Sequence, residues 1–204
     1  HSGMFSESLM ELIRCGAVDN SRKGFHPGET VTAFAAGSQE LYRFLHENRD
    51  ILIKGGYYTN APAVIAQNRN MVSLNTALEI DLTGQCAAES MGFTQWSATG
   101  AQTETVEGAQ LSPGGKSILA LPSCYTARSR TGEKVLRSKI VLSFRPGTIV
   151  STSRNDVDYV VTEYGTAWLR GLSVDKRAKA LIAIAHPSFR DQLTADAKKY
   201  GLIF

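Results

Sequence analysis

Apolar residues at Met4, Phe5, Leu9, Leu12, Ile13 and Val18 recur near the helical period, and Ser6 and Ser8 are cap candidates, so the spacing predicts an amphipathic helix over residues 4–18. Val31-Thr-Ala-Phe-Ala-Ala reads as a buried strand, Gly37-Ser38 as a turn with an N-cap, and 39–47 as a helix with Leu41, Phe44 and Leu45 turned inward. Asn60, Pro62 and Asn68-Arg-Asn70 flank a further short helix. From Met71 to Leu82 the pattern alternates as strands do, with turn chemistry at Thr83-Gly84. Ser117 to Pro122 is a short apolar strand, 128–134 a polar excursion, Ile140 to Phe144 a strand stopped by Pro146-Gly147, and 148–152 and 159–162 two more β-rich runs. The period then becomes helical, over 174–184 behind Ser173 and over 188–199 behind Pro187. The whole predicts one α/β domain, a mixed β-sheet flanked by helices, without internal repeats or a low-complexity linker.

The 204 residues are 43% hydrophobic, enough for a sizeable core. A net charge of +3, spread along the chain, gives no basic arm, so nucleic acid is not an expected partner. No run approaches the roughly 20 apolar residues of a membrane span, and no charged-then-apolar leader opens the chain. Cys15, Cys86 and Cys124 are odd in number and lack metal-site spacing, which predicts no metal, no disulfide and a reducing, cytoplasmic setting.

Candidate chemistry is sparse. His46 and His186 lie at helix ends, a structural position. Glu79 and Asp81 alternate with Leu78, Ile80 and Leu82 and so share one strand face, as an acid/base pair, as a solvated sheet face or in a salt bridge to an arginine. Gly84, Gly92, Gly100, Gly108, Gly114 and Gly115 mark turns or a close backbone approach to a ligand. In Ser112-Pro-Gly-Gly-Lys-Ser-Ile118, Gly114, Gly115 and Lys116 present amides and a cation suited to an anion, although a phosphate loop would precede a helix and this one precedes a strand.

Five ordered stretches together resemble the C-terminal domain of the acetyl-CoA hydrolase/transferase family, which includes 4-hydroxybutyrate, butyryl and succinyl CoA-transferases. They are Asn75-Thr-Ala-Leu-Glu-Ile-Asp-Leu-Thr-Gly-Gln85, Ser112-Pro-Gly-Gly-Lys-Ser-Ile-Leu-Ala-Leu-Pro-Ser123, Asp156-Val-Asp-Tyr-Val-Val-Thr-Glu-Tyr-Gly165, Leu169-Arg-Gly171 and Ile184-Ala-His-Pro187. The likeness runs from Met4 to Leu193. It implies the second half of a two-domain protein of the NagB/RpiA/CoA-transferase-like fold, with residues 1–204 as that C-terminal domain and the first half absent from this chain.

The resemblance also implies a chemistry. In the family, a glutamate in a His-(Ser/Thr)-Glu-Met segment attacks the acyl-CoA thioester and carries the acyl group, then CoA, through a ping-pong cycle. Here the segment is His1-Ser2-Gly3-Met4, so Gly3 stands where the nucleophile is expected. Because His1, Ser2 and Met4 match without a gap, Gly3 reads as divergence within the family in preference to an introduced change or a tag remnant. Glu7, one helical turn on if residue 3 is helical, shares its face but is not expected to replace the missing carboxylate. Asn75 matches an asparagine that contacts CoA near the thioester. Ala98 matches the glycine whose N–H holds the acyl oxygen, in Ser97-Ala-Thr-Gly-Ala-Gln102, where Gly100 is retained and Ala101 is a second small replacement. Gly84, Gly100, Gly114, Gly115 and Lys116 fall in blocks that resemble the CoA cleft.

The expected partners are therefore coenzyme A as substrate or product, an acyl-CoA, a small carboxylic acid, an N-terminal domain of the same family and further copies of the chain. The expected activity is CoA transfer or thioester hydrolysis. The alternative is a CoA-binding or regulatory protein without turnover, and a blander one is a domain kept only to hold its tandem partner.

Overall fold

The computed structural model describes residues 1–129 and 131–204, and the chain divides into two compact units. The first comprises 1–71 and 107–115, the second 72–106 and 116–204. Arg130, within the expected polar excursion, lies outside the described residues.

The first unit begins with β1 (Ser2–Phe5), α1 (Glu7–Arg14), β2 (Thr30–Ala35), α2 (Gln39–Leu45), β3 (Ile51–Ile53), α3 (Gly56–Thr59) and α4 (Pro62–Ile65). Its three strands are parallel in the order β1-β2-β3, with Ser2 opposite Thr32 and Thr30 opposite Ile51. Parallel neighbours need crossovers, which α1 and α2 supply. Phe5, Met10, Leu41 and Ile51 bury together beneath them. Ser38 caps α2 by accepting from Leu41 N at 3.3 Å.

The helix expected over 4–18 is corrected at its start. Residues 2–5 form a strand because β2 offers Met4 and Phe5 a ladder, and tertiary pairing overrides a helical period this short. Residue 3 is thus not helical, and the helix-face relation between Gly3 and Glu7 falls away.

The second unit continues with β4 (Val72–Thr76), β5 (Glu79–Asp81), β6 (Cys86–Ala87), β7 (Ser90–Met91), β8 (Thr94–Gln95), α5 (Gln102–Leu111), β9 (Lys116–Ala120), β10 (Cys124–Arg128), β11 (Lys134–Ser138), β12 (Ile140–Val141), β13 (Tyr159–Thr162), β14 (Gly165–Trp168), α6 (Val174–Ile184) and α7 (Pro187–Lys199). Helix α5 runs from this unit into the first. The main sheet has the order β14-β13-β9-β4, with β4, β9 and β13 parallel and β14 antiparallel. A smaller sheet, β12-β5-β6, also mixes directions. The mixed α/β character expected from the sequence is present, with the strands distributed over separate sheets. Ile80, Leu82, Leu119, Ile140, Val160 and Leu181 are completely buried in one cluster.

Three local expectations differ. The run 148–152 forms no strand, and Thr152 alone bridges Cys86. The ends of the excursion at 128–134 belong to strands, Arg128 closing β10 and Lys134 opening β11 as antiparallel partners. Helix α5 escaped the sequence pattern because Gly108 interrupts it. That glycine is required by packing, since a Cβ there would stand 2.6 Å from Ile65 Cβ. No helix among the described residues is long and apolar enough to cross a membrane.

Candidate functional site

The expected site residues fall in both units and are described unit by unit. In the second unit, Asn75 is half-buried on β4. Its Nδ2 donates to Ser73 Oγ at 2.9 Å and to Thr105 Oγ1 at 3.0 Å. Both amide hydrogens are thereby used, and the carbonyl Oδ1 is the group left to meet a ligand. Thr105 lies in the first turn of α5 and in turn donates to Gln102 O at 2.9 Å.

Gln102 does most to hold this turn. Its Nε2 donates to Thr76 O at 2.8 Å, while its Oε1 accepts from Thr152 Oγ1 at 2.9 Å and from Cys86 Sγ at 3.4 Å. Thr103 adds a bond to Ser151 O at 2.6 Å. Just upstream, Trp96 N and Ser97 N both donate to Glu89 O. Between these two anchors, the N–H groups of Ala98, Thr99, Gly100 and Ala101 have no acceptor among the described residues. Successive free amides leading into a helix N-terminus form a donor array for a developing negative oxygen. The structure therefore brings Asn75 and the Ala98–Gly100 loop to the same helical turn. Gly100 has open space around its Cβ position and no left-handed backbone, so nothing in the fold requires glycine there.

Two further groups belong to this turn. Glu104 has a buried Oε2 without a partner among the described residues. Cys86, completely buried beside Gln102, has its thiol pushed up by desolvation to about 12, so it serves as a hydrogen-bond donor and not as a nucleophile near neutral pH. Sequence reasoning passed over Glu104, whose burial no local pattern signals.

In the first unit, Gly3 sits in the middle of β1, and its carbonyl accepts from Thr32 Oγ1 at 3.3 Å. Its φ lies outside the left-handed region, and an added Cβ would meet only Asn60 Oδ1, at 3.7 Å. Asn60 Oδ1 is itself buried and unpaired among the described residues. Glycine is thus demanded neither by conformation nor by packing. Glu7 is engaged elsewhere, its carboxylate accepting from Ser38 N, which holds its pKa below the ordinary range.

Gly114 and Gly115 follow the last turn of α5, whereas Ala98 and Gly100 precede its first. Gly114 has φ +77°, and a Cβ on Gly115 would overlap the Ala109 carbonyl oxygen. Gly115 N closes the turn on Ser112 O at 2.9 Å, and Ser112 Oγ donates to Asn68 O at 2.6 Å. This turn, docked on 68–71, accounts for both glycines. Lys116 opens β9, exposed, with Val72 as its strand partner. Gly84, with φ +95°, makes the turn after β5 and packs against Arg177 and Leu169.

The carboxylates of β5 do not work as a pair. Asp81 is saturated, accepting from Thr83 N, Thr83 Oγ1, Gln85 N and Gln85 Nε2 at 2.6–3.0 Å. Glu79 is 3% exposed and ion-paired with Arg145 at 3.5 Å, which agrees with the arginine-bridge reading and corrects the solvated-face one. At the β13–β14 turn, Glu163 accepts from Ser123 Oγ at 2.5 Å and Ser123 N at 2.9 Å, which holds its pKa below the usual value. Among the described residues, no three His, Cys, Asp or Glu gather to hold a metal.

Comparison with known proteins places the chain in a family. The chain is 45% identical over 199 residues to the 4-hydroxybutyrate coenzyme A transferase of Clostridium kluyveri, covering 98% of the chain and 45% of that protein. It is 45% identical over 203 residues to the succinyl-CoA:cyclohexane-1-carboxylate CoA transferase of Geobacter metallireducens, covering 100% of the chain and 45% of that protein. The crystal structure of RipA from Yersinia pestis superposes with a TM-score of 0.87 at 44% identity, over 100% of the chain and 44% of RipA. The chain thus spans a little under half the length of the relatives it matches. Residues 37–197 match the family model described as the acetyl-CoA hydrolase/transferase C-terminal domain, and the chain belongs to that family.

Proposed function

We propose that this chain supplies one half of an acyl-CoA cleft, and that the intact protein transfers CoA between an acyl-CoA and a small carboxylic acid, or hydrolyses the thioester, without a covalent intermediate at position 3. The reading rests on the four free amides of residues 98–101, held beside Asn75 by Gln102 and Thr103. Relatives named as CoA-transferases, together with the acetyl-CoA hydrolase of Yarrowia lipolytica at 29% identity, support both outcomes. One such donor aimed at a thioester oxyanion is worth roughly 2.7–4 kcal/mol of transition-state stabilisation.

Gly3 has no side chain to acylate, so the attacking oxygen belongs to water or to the acceptor acid. In hydrolysis, water adds to the thioester carbon, a carboxylate such as Glu104 takes its proton, and the C–S bond breaks to release CoA and the acid. In direct transfer, the acceptor carboxylate adds to the same carbon and expels CoA thiolate. The thiolate then attacks the acceptor carbonyl of the mixed anhydride and releases the donor acid. Completing the cleft falls to an N-terminal domain of the same family, in a homo-oligomer. The cysteines Cys15, Cys86 and Cys124 are free, in keeping with a cytoplasmic setting.

Incubating the intact protein with acetyl-CoA and then hydroxylamine or borohydride tests the intermediate. No adduct is expected at any glutamate of this chain, and finding one overturns the reading. Gly3 also favours a second reading, a CoA-binding protein without turnover. Calorimetric binding of acetyl-CoA with no release of free thiol would select it.

A further inference from the structure

The second unit contains a cavity of about 580 Å³ that neither Asn75, Ala98 nor Gly100 lines. Its lining comes from the β10–β11 hairpin, with Arg128 and Arg137, from β5 and β12 and the residues after them, with Glu79 and Leu142, and from α7, with Phe189 and Asp196. Three arginines, the third being Arg145, share the lining with two carboxylates, buried Glu79 and half-buried Asp196, so the charge on the lining favours an anion. The remaining lining is largely aliphatic and aromatic, which favours a ligand with an apolar body over inorganic phosphate.

Glu79 gives the cavity its chemical signature. Oε1 lies 3.5 Å from Arg145 Nη2 without a hydrogen bond, and Oε2 is buried with no partner among the described residues. Leaving a buried polar atom without a partner is costly, so a ligand that supplied one would be favoured here. Desolvation raises the Glu79 pKa, against the lowering effect of Arg145 and Lys139.

We propose that the cavity binds a monocarboxylate with a compact apolar body, its carboxylate paired with Arg145 at the Glu79 end of the lining and its body against Leu142 and Phe189. A dianion is disfavoured by Asp196, and a cation by the three arginines. The inference is independent of the proposed acyl-CoA reaction.

Benzoate is the probe, titrated by calorimetry into the intact protein with saturating CoA present. One site per chain is expected, with benzamide weaker by about tenfold or more, the worth of one charge-assisted hydrogen bond. Phenyl phosphate should also bind more weakly. Arg145→Gln, at an exposed side chain, should cost a similar factor, and Ser143→Trp, at an exposed lining position, should abolish binding without altering the circular dichroism. No benzoate binding at about 10 mM, equal binding of benzamide, loss of binding on adding CoA, or indifference to both variants would each overturn the proposal.

Discussion

Gly3→Glu, made in the intact protein, tests both the fold and the chemistry of the β1 segment. An extended backbone accepts any residue, and the nearest atom to the new Cβ is 3.7 Å away. Replacing glycine by a residue its backbone already suits gains about 0.4–1 kcal/mol from the unfolded chain. Fixing a glutamate side chain costs up to about 1.5–2 kcal/mol, less if it stays mobile. The two nearly cancel, so stability should move by no more than about 1 kcal/mol, or about 2–4 °C in Tm for a protein of this size. Gly3→Ala separates the terms and should be slightly stabilising. In activity, the variant acquires the carboxylate that the sequence resemblance implies as nucleophile. Acetyl-CoA followed by borohydride should then label the peptide containing residue 3 in the variant and not in the parent, measured by intact and peptide mass. Loss of more than about 3 kcal/mol, or a label in the parent, refutes the reasoning.

Gln102→Leu breaks its bonds to Thr76, Thr152 and Cys86, leaves buried polar groups unpaired, and should cost about 1–3 kcal/mol in urea unfolding while weakening acetyl-CoA binding through a loosened 98–101 loop. Gly115→Ala should destabilise by about 2 kcal/mol or more, because its methyl overlaps the Ala109 carbonyl, whereas Gly100→Ala should stay within about 0.5 kcal/mol in thermal melts. Iodoacetamide should label exposed Cys15 promptly and leave Cys86 untouched until the protein unfolds. A thiol at about 12, against an ordinary 9.0, has about a thousandfold less thiolate near neutral pH.

The elements that sequence made legible are those whose own pattern suffices. Helix α6 runs over Val174–Ile184 as its period indicates, and Ser38 caps α2 where Gly37-Ser38 marks a turn. Strand β1 and helix α5 were not legible, since one depends on β2, thirty residues on, and the other contains a glycine kept for Ile65. The site divides in the same way. The motifs single out Asn75 and Ala98 as candidates, but the Gln102 bonds that hold the neighbouring turn reach residues 26 and 50 positions away. Alternation put Glu79 and Asp81 on a strand but could not tell that neighbours from β6, β12 and the turn after β5 would bury both.

The free amides at 98–101 carry no net charge, and this sets how their contact with a ligand responds to ionic strength. Comparing acetyl-CoA with CoA cancels the phosphate contacts common to both, so the difference reports on the acyl group alone. That difference should barely change between low and high salt, because dipoles meeting a carbonyl oxygen are little screened. Benzoate in the arginine-lined cavity, held by a full charge close to solvent, should weaken steadily over the same range. A single salt series thus distinguishes recognition by backbone from recognition by side-chain charge within one chain.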